Sequence, residues 1–183
     1  MKRTKLVGVG ALTVLAMMLA LLPAAGASAA PKLLVLQSGG VPVANGSPGD
    51  TGIEVDECSL FSNGKVGTNH AAKITLTETT ASETECEAGR SISGLVKETA
   101  LAKNGKATLK GEISVSEPGP CVYVFKTFKS TFEVPGFTFI KGTVVGKLNK
   151  KTSDKSCAKT TTQIFRANVT NEVFGEPFEA VLG

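Results

Sequence analysis

Hydrophobic and polar positions alternate along most of this 183-residue chain, and the alternation has the two-residue period of β-strands. The one long exception lies at the start. Leu6 to Leu22 is an uncharged run in which Thr13 is the only hydroxyl side chain; Lys2, Arg3 and Lys5 precede it and Pro23 ends it. Small residues follow, and Ala27-Ser28-Ala29 fits the small-x-small rule of signal peptidase. Residues 1–29 are therefore expected to be a signal peptide, cut after Ala29. As an uncleaved anchor this run of 17 residues would sit at the short limit of a bilayer span, roughly 17–25 residues. No second apolar run of that length follows, so no membrane span is expected after signal cleavage.

Residues 30–183 are expected to form a single β domain. Val, Ile, Thr and Phe fill short runs, and Gly, Pro, Asn and Ser separate them. Leu33 to Gln37 reads as an edge strand, and the Gly/Pro-rich residues 38–50 as a loop. Asn63-Gly64 and Asn104-Gly105 each predict a two-residue type I′ hairpin, because both residue types tolerate φ > 0. Such a loop fixes the register. At Asn104-Gly105 it sets Ala102 against Ala107, Ala100 against Leu109, Val96 against Ile113 and Gly94 against Val115. Small and apolar residues then share one face, with Lys97, Thr99, Lys103, Thr108, Lys110 and Glu112 on the other. Leu95 and Leu101 are the exceptions. A helix over residues 95–103 competes, but its apolar positions make no 3.6-residue stripe. At Asn63-Gly64 the same rule sets Phe61 against Val66, Val55 against Ala72, Ile53 against Ile74 and Glu54 against Lys73. It also places Glu57 opposite His70.

Further runs predict strands over Cys121–Phe128, Thr131–Val134, Phe137–Leu148, Thr160–Val173 and Phe178–Leu182. Pro135-Gly136 reads as a turn and Asn149–Ser156 as a polar loop. Phe165, Ala167, Val169 and Val173 share one face. About nine or ten strands and no helix indicate an antiparallel β-sandwich or barrel.

Charge narrows the classes of partner. The chain has 20 basic and 16 acidic residues. Lys2, Arg3 and Lys5 fall in the signal, so the remainder is close to neutral, near +1. That argues against nucleic acid, which asks for a basic face with stacking aromatics. The most basic stretch, Lys141 to Lys159, reads as a solvated hairpin. Cys58, Cys86, Cys121 and Cys157 all follow the signal, and an even count in an exported chain reads as two disulfides. The favoured pairing is Cys58–Cys86 with Cys121–Cys157, each closing a short loop in one half of the chain. No C-x-x-C pair exists and His70 is the only histidine, so no metal ligand is assigned.

Candidate chemistry is sparse. There is no G-x-S-x-G, H-E-x-x-H or dinucleotide fingerprint, and Gly142 to Lys147 is one residue too short for a phosphate loop. No catalytic or cofactor-binding residue is assigned, and no cofactor is expected. Glu57 and His70 are the one polar pair, read as a structural cross-strand hydrogen bond ahead of a proton-transfer couple. The acidic stretches Asp50–Glu57 and Glu78–Glu87 lack EF-hand spacing and read as solvated loops. A glycosidase-type carboxylate pair is diagnosed only by separation in space. With no Trp and a single Tyr, Tyr123, a sugar platform is disfavoured. Five of the nine Phe lie between Phe125 and Phe139 and are expected in the core.

The opening Met1-Lys2-Arg3, the exit Ala27-Ser28-Ala29 and the segment Glu117-Pro118-Gly119-Pro120-Cys121-Val122-Tyr123 resemble those of the small, secreted, Thr/Ser-rich β proteins of Gram-positive bacteria. The resemblance implies export and a β fold; it implies no activity and transfers no functional residue. The expectation is thus a secreted, disulfide-stabilised, non-enzymatic protein, structural or binding a cell-surface or extracellular macromolecule. One alternative is a carrier of a small apolar ligand using the Phe125–Phe139 region. The other is a hydrolase with a carboxylate pair.

Overall fold

Twelve strands and no helix form among residues 32–67, 73–171 and 176–183, which the computed structural model describes. In chain order they are β1 (Leu34–Ser38), β2 (Val41–Pro42), β3 (Pro48–Val55), β4 (Cys58–Val66), β5 (Lys73–Cys86), β6 (Ser91–Ala102), β7 (Lys106–Ser116), β8 (Val122–Thr131), β9 (Gly136–Phe137), β10 (Phe139–Leu148), β11 (Thr160–Thr170) and β12 (Glu179–Leu182). Eight of them, β3 to β8 with β10 and β11, close an up-and-down antiparallel barrel, β11 returning to pair with β3. Closure leaves no long unpaired edge. The four short strands form a second sheet in the order β2-β1-β12-β9. β1 is therefore flanked on both sides, not an edge, and residues 38–50 hold β2 and the start of β3.

The first hairpin turns earlier than the sequence suggests. Asp56 and Glu57 both have positive φ, 53° and 61°, and Val55 opposes Cys58. These are the dihedrals of a type I′ turn. Asn63 and Gly64 instead lie inside β4. Gly64 is needed there for a different reason: a Cβ would come within 2.4 Å of the Thr77 carbonyl oxygen on β5. The glycine serves a close approach of two strands at a bulge. The earlier turn sends Ile53, Val55, Cys58 and Leu60 into the core together and sets Cys58 opposite Cys86.

The second hairpin turns at Asn104-Gly105 but with three loop residues. The Gly105 N–H donates to the Ala102 carbonyl (2.9 Å), Gly105 alone has positive φ (72°), and Asn104 Oδ1 accepts from the Lys106 N–H (3.3 Å). A type I turn followed by a left-handed glycine is the usual three-residue solution. The register moves by one: Leu101 opposes Ala107 and Thr99 opposes Leu109. Leu101, an exception in the two-residue register, is fully buried, while Ala100 and Ala102 turn outward. A bulge between Val96 and Glu98 then returns Val96 and Ile92 to the inside. Residues 95–103 are strand and turn, not helix.

After β8 the chain leaves the barrel, so Thr131–Val134 is not a separate strand. It visits the small sheet as β9 and re-enters at Phe139. Thr138 makes that bend: its buried hydroxyl donates to the carbonyls of Val169 (2.9 Å) and Phe178 (3.0 Å). Leu34, Leu36, Phe178 and Ala180 of the small sheet region are fully buried in the same apolar cluster as the barrel residues. The two disulfides are Cys58–Cys86 and Cys121–Cys157. The first joins the facing ends of β4 and β5; the second ties the turn before β8 to the loop after β10. The pairing is the one expected from loop length.

Candidate functional site

Three places gather polar chemistry among the described residues, and Glu57 belongs to the first. Glu57 occupies the β3–β4 turn and its carboxylate meets the Arg90 guanidinium at 2.5 Å. It is a turn residue, not a strand residue, because the turn falls at Asp56-Glu57 rather than at Asn63-Gly64; the other member of the expected pair, His70, lies outside the described residues. Arg90 also faces Asp56 and Glu117. Burial pushes the Asp56 carboxyl up, with Arg90 opposing and Glu57 reinforcing the shift. Burial likewise raises Glu117, helped by Asp56 and opposed by Arg90. Three carboxyls thus surround one guanidinium at the Cys58–Cys86 end. The backbone shares in the cluster: Glu87 N–H donates to the Glu57 carbonyl (3.2 Å) and Arg90 N–H to that of Glu87 (3.1 Å). Its evident physical effect is to fasten the 56–57 turn to the 87–90 turn.

The second place is inside the barrel. Ile74, Leu76 and Glu78 continue one inward face of β5, so period two carries a carboxyl into the core instead of into a solvated loop. Glu78 is 4% exposed. Its Oε1 accepts hydrogen bonds from Thr51 Oγ1 (2.6 Å) and Thr99 Oγ1 (2.9 Å), both fully buried. Its Oε2 has no partner among the described residues, nor has the buried hydroxyl of Ser62, which sits opposite Thr51 on β4. Loss of hydration pushes the Glu78 carboxyl above its ordinary range; the threonine hydroxyls pull the other way.

Around the phenylalanines the interior is apolar and close-fitting. Phe125, Phe128 and Phe165 are fully buried, with ring centroids 6.5 Å apart for the first two and 5.2 Å for the edge-to-face pair Phe128–Phe165. Two glycines of β10 make room for them. A Cβ at Gly146 would stand 2.6 Å from the Phe125 ring, and one at Gly142 would stand 2.8 Å from that of Phe165, its cross-strand partner. The phenylalanines between 125 and 139 do not line one space. Phe125 and Phe128 are core, Phe132 is 8% exposed, and Phe139 points outward at 55%.

The third place is the outer wall. β8 and β10 pair only near their ends, at Lys141–Thr131 and at Lys147–Val124 with Leu148–Tyr123. Between them the ladder is interrupted and a surface depression of about 650 Å³ opens, lined by Val124, Lys126, Thr127, Lys129, Thr143 and Val145 with Val144 and Lys147. An extra β8 residue against β10 turns both Lys126 and Thr127 outward between inward Phe125 and Phe128, and Lys129 faces solvent beyond Phe128. Lys126 pairs with Glu112 (3.0 Å). A smaller hollow of about 210 Å³ lies over Gly52, between Phe61 and Phe139. The ion pair of Glu54 and Arg166 (3.0 Å) lies beside it.

The stretch Lys141 to Lys159 reads from sequence as one basic hairpin, without Lys126 and Lys129, because β8 pairs with β10 only across the excursion to β9. The break of alternation at Lys126-Thr127 was the available signal. Comparison of the chain with family models, with curated proteins and with solved structures finds no match in any of the three.

Proposed function

We propose that this chain is an exported, non-enzymatic protein that binds a macromolecule at or outside the cell surface through the outer wall of its barrel. The observation that carries this reading is the filled interior. Glycines at 142 and 146 leave no space for even a methyl group beside Phe165 and Phe125, so the barrel offers little room for an apolar cargo. The one buried carboxyl among the described residues, Glu78, is 4% exposed and sealed from any substrate. The carboxyls of Asp56, Glu57 and Glu117 are gathered on Arg90, an arrangement that favours stability of the turns over proton transfer to a ligand. Two intramolecular disulfides suit an oxidising compartment, where such bonds persist.

The test is co-sedimentation with isolated envelopes of the producing cells, paired with native mass spectrometry of the protein from the culture medium. The expected result is retention on the envelopes. The expected mass is that of residues 30–183 with two disulfides and no bound molecule. A retained apolar molecule in the native spectrum, or a chain still carrying residues 1–29, would contradict the reading.

A further inference from the structure

We infer that the β8–β10 seam docks a linear phosphate-bearing polyanion outside the cell, held by its phosphates; this rests on the outer-wall reading above. Neither β8 nor β10 contains an acidic residue, and together they carry Lys126, Lys129, Lys141 and Lys147. All four are exposed. Of these only Lys126 has a carboxylate partner among the described residues. Near-neutral net charge of the whole chain is therefore compatible with a locally basic strip, and such a strip attracts anions even where the sum is small.

The shape of the basic strip selects a polymer over a single anion. Lys141 and Lys147 share the outer face of β10 six residues apart, roughly 20 Å at about 3.3 Å per residue. That length spans several phosphates of an extended chain. Among the described residues no guanidinium lines the depression, and lysine ammoniums bind phosphate as point charges without a planar fork. Ammonium groups with the Thr127 and Thr143 hydroxyls suit the spread charge of phosphate oxygens. No aromatic ring lines the depression either, so there is no platform for a stacked base, and the polymer is recognised by its backbone.

The experiment measures binding of the full mature protein to labelled linear inorganic polyphosphate by fluorescence anisotropy between 25 and 200 mM salt, roughly the range in which phosphate contacts are most salt-sensitive. Wild type is compared with Lys129→Glu/Lys147→Glu and with a control of equal net charge, Lys65→Glu/Lys97→Glu, on β4 and β6. The expected result is that the seam variant binds at least about tenfold more weakly and that its log–log salt slope falls by about 1.5, whereas the control changes less than about twofold. Equal losses in both variants, or no polyphosphate binding by wild type, would overturn the inference. Binding confined to vesicles of anionic phospholipid would overturn it too, in favour of a membrane surface. Envelope retention that survives the seam variant would remove the polymer assignment and leave the outer-wall function standing.

Discussion

Replacing Glu78 by glutamine tests the least expected feature of the barrel. The native carboxyl is raised above its ordinary value of 4.5, burial being the main cause. Its proton is therefore held more tightly in the folded than in the unfolded chain. The stability linked to this group is fully present below the unfolded value, near 4.5, and is lost as pH climbs through the raised native value. Glutamine keeps an oxygen for the Thr51 and Thr99 hydroxyls and carries no charge at any pH. A buried polar oxygen left without a partner costs about 1–3 kcal/mol, and more when charged. Glutamine sets an amide nitrogen in the place of Oε2, so the cost of an unpaired polar group is common to both proteins and what the substitution removes is the charge; Glu78→Gln should therefore stabilise by about 1–3 kcal/mol at pH 7.5 and by less than about 0.5 kcal/mol at pH 4. With a urea slope near 2 kcal/mol/M the midpoint should rise by about 0.5–1.5 M at pH 7.5. Asp56 and Glu117 are also raised, but both proteins share them, so the difference between proteins isolates Glu78. A midpoint that falls at pH 7.5, or shifts equally at the two pH values, would refute the argument.

The three-residue loop at Asn104-Gly105 predicts that Leu101→Ala costs about 2–5 kcal/mol in urea unfolding, while the outward Ala102→Thr stays within about 0.5 kcal/mol; a two-residue loop would exchange these sensitivities. Gly146→Ala puts a methyl 2.6 Å from the fully buried Phe125 ring, and overpacking of that kind should cost about 1–3 kcal/mol by thermal or urea denaturation. A wild-type-like midpoint would mean that the interior has slack. Removing the Cys58–Cys86 bridge, which closes a separation of 28 residues, with a Cys58→Ala/Cys86→Ala variant should cost about 3–4 kcal/mol. Unchanged unfolding in that variant would mean the bridge contributes nothing to stability.

Much of the barrel was legible because its signals are local or strictly periodic. Phe165, Ala167 and Val169 alternate on β11 and all three are buried. The cysteine pairing followed from loop length. What failed was the reading of glycine. Asn63-Gly64 has the composition of a hairpin turn, yet Gly64 is required by a neighbouring strand that only the folded barrel supplies. The actual turn, Asp56-Glu57, forms with two acidic residues in the left-handed region, which local preference ranks below Asn-Gly. Glu78 reads as loop from sequence because four glutamates between 78 and 87 suggest one, whereas alternation from Ile74 and Leu76 puts the first of them inside. The β8–β10 seam was illegible for a third reason: its lysines are brought together by pairing of β8 with β10 across the excursion to β9, a contact absent from any short window of sequence.

Lysine footprinting of the protein while bound to envelopes of the producing cells tests the central claim most directly, because it reads the working face without assuming the ligand. The outer-wall account predicts that Lys129 and Lys147 are protected from amine acetylation on binding, while Lys65 and Lys97, on other walls, react as in the free protein. Protection of Lys65 and Lys97 with Lys129 and Lys147 still reactive would contradict it.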